Sequence, residues 1–180
     1  MTTNMITRYQ DRRTRRFLEQ EKRTAGMLPK WRTRSRRRKL VVALAAVYAF
    51  MFVVGVLCHV DVRWAPLLWL PACALFFPLW TTIQIVSGRQ GDAPADTLDE
   101  WEVQQRNEAR SIGLSVTQTL VLIAACYAIF TAVISQPDGN NAWHYASGLF
   151  TLVALLVGMS TPAMLLAWTR PDPDTEDAAF

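Results

Sequence analysis

Charged residues are missing from four long apolar segments of this 180-residue chain. The segments, residues 40–60, 67–86, 112–134 and 146–168, contain no Asp, Glu, Lys or Arg. About 20 apolar residues at a helical rise of roughly 1.5 Å each cover the roughly 30 Å hydrocarbon core of a bilayer. The sequence therefore predicts an all-α integral membrane protein with four transmembrane helices over residues 40–168, and it leaves no room for a soluble domain with its own core.

The sequence motifs of common enzymes are absent as well. The chain has no glycine-rich phosphate loop, no HExxH and no GxSxG. The four apolar segments also lack the intramembrane charge on which proton relays and ion-coupled carriers usually depend. We therefore expect a protein that is neither an enzyme nor a coupled transporter and that uses no cofactor.

Cysteine and histidine are scarce, with three Cys and two His in the whole chain. The cysteines fall inside apolar segments without a CxxC spacing, which is typical of small buried hydrophobic residues. His59 lies at the end of the first segment, Asp61 directly follows that segment and His144 lies just before the fourth, so these three side chains are expected near the outer surface. They either anchor helix ends at the interface or form a weak candidate site for a metal or haem.

Basic residues are concentrated before the first apolar segment, where 14 of the 19 Lys and Arg precede residue 40. Residues 1–39 are predicted to form a basic, partly helical arm, which either lies on the anionic inner leaflet or only sets the topology. The positive-inside rule then places both termini in the cytoplasm of a multi-pass cell-membrane protein. Nucleic acid is not an expected partner, because few aromatic residues alternate with the basic ones. The residues expected to bind anionic head groups are Arg32, Arg34, Arg36, Arg37, Arg38 and Lys39.

Acidic residues are concentrated in the loop 87–110 and in the tail 169–180, both expected to be cytoplasmic. In the loop, Thr97 and Glu100 have the spacing of a capping box, which predicts a short helix over about 98–110 that leads into the third span. The loop is either a docking face for the basic arm or a solvated helix end. The tail has the composition of a disordered segment.

Small residues recur along the last two spans and predict that these two helices approach each other closely. They are Ala124, Ala128 and Ala132 in the third span and Thr151, Ala154 and Gly158 in the fourth. The short connection 136–141 makes the two spans antiparallel neighbours. Gln84 and Gln118 are expected at similar depths near the cytoplasmic side, where each amide would turn inward and join a buried polar layer.

No motif identifies the activity itself. The leading hypothesis is a non-enzymatic polytopic membrane protein that acts through a membrane-protein partner or as a homo-oligomer, with membrane lipids as further partners. A small pore or membrane-perturbing factor is one alternative. A haem- or metal-binding membrane redox subunit that uses the two histidines is the other.

Overall fold

The computed structural model describes residues 2–24, 27–28, 31–88, 93–94, 97–134 and 142–170. Within these residues, the regular secondary structure is helical throughout. The α-helices are α1 (Thr2–Thr24), α2 (Arg34–His59), α3 (Trp69–Val86), α4 (Glu100–Ile134) and α5 (Ala142–Thr169). A short 3-10 helix, Ala65–Leu68, leads into α3.

Four of these helical segments are long and apolar enough to cross a membrane: Arg34–His59, Ala65–Val86, Glu100–Ile134 and Ala142–Thr169. The prediction of four such helices is confirmed. Helices α2, α4 and α5 begin before their apolar segments, because charged and polar residues in front of each segment continue the helix, whereas α3 begins within its segment, after the 3-10 helix. The helix predicted over about 98–110 is the first part of α4, which at 35 residues is longer than a bilayer crossing requires.

The cap of α4 differs from the predicted one. The carboxylate of Asp99 accepts a hydrogen bond of 2.7 Å from the backbone N–H of Glu102, and the helix begins at Glu100. The hydroxyl of Thr97 instead donates to the carbonyl of Pro94 at 2.9 Å. Asp is at least as good an N-cap as Thr, so the shift of two residues keeps the same capping chemistry.

The helices of the bundle lie in the order α3, α2, α5, α4. The most extensive packing is between α4 and α5, followed by that of α2 with α5 and of α2 with α3. In the part of the chain that the structure describes, α1 makes no extensive contact with the other helices, although its Phe17 side chain is buried. The last helix in the sequence is therefore the central one in space.

Helices α4 and α5 are antiparallel and approach each other closely at two glycines. A Cβ atom built on Gly158 of α5 would lie 2.9 Å from the Cα of Thr117, and one built on Gly113 of α4 would lie 2.6 Å from Cγ of Pro162. Both distances are below van der Waals contact, so only glycine allows this approach. Among the predicted packing residues, Ala124, Ala154 and Gly158 are buried, Ala128 and Thr151 are half-buried, and Ala132 is exposed.

Candidate functional site

One end of the bundle, which we call the basic end, is held together by arginine side chains. A guanidinium N–H of Arg37 donates to the backbone carbonyl of Arg170, directly after the end of α5. Arg170 in turn donates to the carbonyl of Ser87, at the end of α3, over 3.1 Å. The last carbonyls of a helix lack intrahelical partners, and cations stabilise that end of the helix dipole. Arg37 and Arg170 therefore join the ends of α3 and α5 to the start of α2.

Arg106 adds the connection between α3 and α4 to the same end. Its side chain is buried, and one of its N–H groups donates to the carbonyl of Ala93 at 2.5 Å. Arg38 lies over the ring of Trp168, with its Cζ 4.8 Å from the ring centroid, which is a favourable cation–π distance. The basic end is thus a structural joint as well as a concentration of charge.

The role predicted for Arg37 needs correction. Its side chain is only 2% exposed, so it does not reach lipid head groups. Arg34, Arg36 and Lys39 are exposed, while Arg38 is half-buried. The helical repeat explains the difference, because a run of consecutive residues covers the whole circumference of a helix and one side chain in it must face the bundle. The prediction of lipid binding is kept for the exposed residues and not for Arg37.

A lateral cleft opens between α2 and α4, which scarcely touch, and α5 forms its floor. Its volume is about 650 Å³, within the range of small-molecule sites. The lining residues are Tyr48, Ala49, Phe52, Val56 and His59 of α2, Leu120, Ile123, Ala124 and Tyr127 of α4, and Phe150, Val153, Ala154 and Val157 of α5. Nearly all of these side chains are apolar, and the exceptions lie at its two ends.

Aromatic rings connect the three helices at the end of the cleft opposite the basic end. The hydroxyl of Tyr127 lies 2.6 Å from Nδ1 of His59, whose ring stacks on Trp143 with centroids 5.4 Å apart. The ring of Phe150 packs edge-to-face against Tyr127 at 5.2 Å and approaches Gly55 so closely that a Cβ there would lie 2.7 Å from its Cε1. The hydrogen bond between Tyr127 and His59 was not predicted, although a buried tyrosine hydroxyl usually finds a hydrogen-bond partner.

The other polar end of the cleft is already saturated. The hydroxyl of Tyr48 donates to Oγ of Ser160 at 2.7 Å and approaches the carbonyl of Leu156 at 3.2 Å. Ser160 is fully buried and also hydrogen-bonds the carbonyl of Val157. This group ties the middle of α2 to the middle of α5.

The three residues predicted as weak candidates for a metal site, His59, Asp61 and His144, lie in three different local environments. His59 is hydrogen-bonded to Tyr127, while Asp61 is exposed in the turn after α2 with a φ of 60° and His144 is exposed on α5. Within the described residues, no group of three or more His, Cys, Asp or Glu side chains is placed to hold a metal ion. His59 is the last residue of α2 and His144 lies in the first turn of α5.

The predicted polar layer of Gln84 and Gln118 is not formed. Helices α3 and α4 lie on opposite sides of the pair α2 and α5, so the two amides do not meet. Gln84 is half-buried, Gln118 is exposed, and within the described residues neither side-chain amide has a hydrogen-bond partner. The prediction considered only how deep the two residues lie along their helices. It did not consider toward which neighbouring helix each side chain points.

Gln118 belongs to a regular face of α4 that points away from α5, which we call the α4 seam. Its members follow one another at alternating intervals of four and three residues, and every one of them is exposed. They are Ser111, Ser115, Gln118, Leu122, Ala125, Ile129 and Ala132. This spacing is the heptad repeat of helices that pack along their length, and four of the seven side chains are Ser or Ala.

The sequence matches no known protein-family model, no curated protein and no solved structure. The described residues form a helical bundle with an arginine-joined end, a lateral apolar cleft and the exposed α4 seam. A functional conclusion must rest on the chemistry of these three features.

Proposed function

We propose that the chain is a non-enzymatic multi-pass protein of the cell membrane that acts as a homo-oligomer, assembled through the α4 seam. The observation that supports this most directly is the exposed amide of Gln118, which lies within the apolar part of α4. An amide without a partner in hydrocarbon costs free energy, and a polar residue on a transmembrane face is commonly satisfied by a neighbouring helix.

A second copy of the chain is the partner that fits the amide best. A glutamine side chain both donates and accepts, so two copies of Gln118 related by a two-fold axis satisfy each other. Copies inserted in the same orientation meet with parallel α4 helices, for which a heptad seam with one polar residue is the known means of fixing register. Ser111, Ser115, Ala125 and Ala132 keep the backbones close along the same line.

The proposed orientation puts the basic end in the cytoplasm. The start of α2, the start of α4 and the end of α5 all carry basic residues at that end, whereas Arg63 is the only basic residue among the described ones at the other. This distribution supports cytoplasmic termini under the positive-inside rule. Arg34, Arg36 and Lys39 would then face the anionic inner leaflet, where each contributes about 1 kcal/mol to membrane binding.

Cysteine cross-linking in native membranes tests the seam. In a chain otherwise free of cysteine, Ala125→Cys places a thiol on the seam, and Phe130→Cys places one at an exposed position of the same helix but off the seam. We expect a dimer for the first and not for the second, because only seam residues approach their own copies.

Replacing the amide provides the second half of the test. Gln118→Leu in the Ala125→Cys chain should weaken the dimer by roughly five- to tenfold, the factor that two bonds of about 0.6 kcal/mol represent. Gln84→Leu, which removes the amide on α3, is the matched control and should leave the dimer unchanged. A monomer in lipid nanodiscs, or cross-linking that is equal at both cysteine positions, would reject self-association through α4.

A further inference from the structure

We propose that the cleft between α2 and α4 binds one acyl chain of a glycerolipid, with the ester carbonyl of that chain accepting a hydrogen bond from His59. The cleft is distinct from the α4 seam, and the inference requires membrane insertion but not self-association. It rests on the length of the cleft, on the polar groups at its two ends and on its volume.

The length of the cleft matches one leaflet of a bilayer. Tyr48 and His59 line its two ends and are eleven residues apart on α2, which is about 16 Å at a helical rise of 1.5 Å per residue. The hydrocarbon of one leaflet is about half of the roughly 30 Å core. Because His59 is the last residue of α2, the cleft runs from the end of that helix to the depth at which the two leaflets meet.

The two ends of the cleft differ in what they offer a ligand. The hydroxyl of Tyr48 is engaged by Ser160 and Leu156, so this end presents only apolar surface. At the other end, Nδ1 of His59 lies 2.6 Å from the hydroxyl of Tyr127, and in the tautomer in which that hydroxyl donates, the imidazole carries its N–H on Nε2. Within the described residues, Nε2 of His59 has no hydrogen-bond partner. A ligand with an acceptor at its head and a long apolar tail therefore complements the cleft in one direction only.

The volume of the cleft accommodates an acyl chain. About 650 Å³ over a length of about 16 Å lies within the range of small-molecule sites, and almost all of the lining side chains are apolar. The small side chains of Ala49 on one wall and Ala124 on the other leave the cleft open along its length. The glycerolipid ester is the carbonyl that a membrane supplies at the depth of a helix end, so an acyl chain combines an apolar tail for the cleft with an acceptor close to His59.

A photoactivatable phosphatidylcholine with a diazirine in one palmitoyl chain tests the site in nanodiscs that contain the full-length protein. We expect labelled peptides from the cleft walls, notably around Ile123 and Phe150. Ala49→Trp fills the cleft and should reduce this labelling at least about fivefold, whereas Ala74→Trp, the same change at an exposed position of α3, should not. Labelling of the cleft that is no stronger than that of the exposed face of α3, or labelling that survives Ala49→Trp, would overturn the proposal.

The ester contact is tested separately, with a probe that carries the same diazirine chain in ether linkage and therefore has no carbonyl. The wild-type protein should label with the ester about fivefold better than with the ether, the factor that one net hydrogen bond represents. His59→Phe keeps an aromatic ring against Trp143 but removes the donor, so the preference should disappear while labelling by the ether is unchanged. Equal labelling by the two probes in the wild type would show that His59 does not recognise the lipid. This comparison also decides the proposal if Ala49→Trp fails to fold, and neither experiment depends on whether the protein is a dimer.

Discussion

At the scale of single residues, the structure uses arginine for two different purposes in one short run. Arg36 is exposed, whereas Arg37 is buried and donates to the carbonyl that follows α5. A planar guanidinium that is always charged suits the second task, because its five N–H groups can satisfy the carbonyl at a helix end and other acceptors at the same time. Neighbouring residues of the same type therefore differ in function according to the side of α2 on which they lie.

Removing the buried guanidinium should cost more stability than removing the exposed one. We expect Arg37→Met to lower the free energy of unfolding in detergent by about 1.5–3 kcal/mol, the value of a hydrogen bond to a charged group. Arg36→Met removes the same charge from the surface and should change stability by no more than about 0.5 kcal/mol. Thermal unfolding of the two variants in one detergent makes the comparison, and equal losses would mean that the charge of Arg37 matters and not its contact with α5.

At the scale of helices, the α4–α5 pair shows how small side chains set a distance. Gly113 and Gly158 face Pro162 and Thr117 across the interface, and each contact leaves no space for a Cβ atom. Packing forces, and not hydrophobicity, hold helices together in lipid, so the closeness of the backbones is itself the source of stability. Gly148 lies on α5, like Gly158, but a Cβ atom built on it would meet no atom of another helix within 4 Å.

These two glycines of α5 should respond to alanine with opposite signs. Gly158→Ala forces α4 and α5 apart and should lower stability by about 1–3 kcal/mol. Gly148→Ala adds a helix-favouring residue in open space and should leave stability unchanged or raise it by up to about 1 kcal/mol. Denaturation by SDS from mixed micelles measures both, and a loss at Gly148 as large as that at Gly158 would show that the α4–α5 distance is not the cause.

The helices themselves could be predicted from the sequence, but their arrangement could be predicted only in part. Length and hydropathy define a span, and the short connection 136–141, which lies outside the described residues, was enough to predict that α4 and α5 are neighbours. Nothing in hydropathy says that α2 packs on α5 or that α3 and α4 are separated. The error over Gln118 was avoidable, because at about 100° per residue it lies some 120° around the helix from Ala124, which faces α5. The contact of His59 with Tyr127 joins residues 68 apart in the chain, and only the fold brings them together.

At the scale of the whole molecule, the two ends of the bundle have opposite chemistry. One end is joined by Arg37, Arg106 and Arg170, and the other by the rings of His59, Tyr127 and Trp143. Aromatic rings are favoured at both membrane interfaces, but basic residues are strongly enriched on the cytoplasmic side. The same arginine contacts that join the helices at one end therefore also support the proposed cytoplasmic placement of that end.

Reporter fusions test this orientation directly. Fusions at Asn140 and at Phe180 should report opposite sides of the membrane, with Phe180 in the cytoplasm, because one crossing separates the two positions. A fusion after Arg63 serves as the internal control and should agree with Asn140. The same side for Asn140 and Phe180 would contradict the four-span topology, whatever the state of the seam or the cleft.

The central position of α5 has a consequence for biosynthesis. A chain made from its amino terminus releases α2 and α3 first, and these two can pair at once. The next helix, α4, makes only sparse contacts with these two, so its glycine-lined face stays open until the final helix leaves the ribosome and enters between α2 and α4. In the proposed membrane protein, translation that stops before residue 142 would therefore leave an orphan helix in the bilayer, the kind of unassembled segment that membrane proteases and chaperones recognise. Quality control of this protein would then act chiefly on the arrival of its last helix.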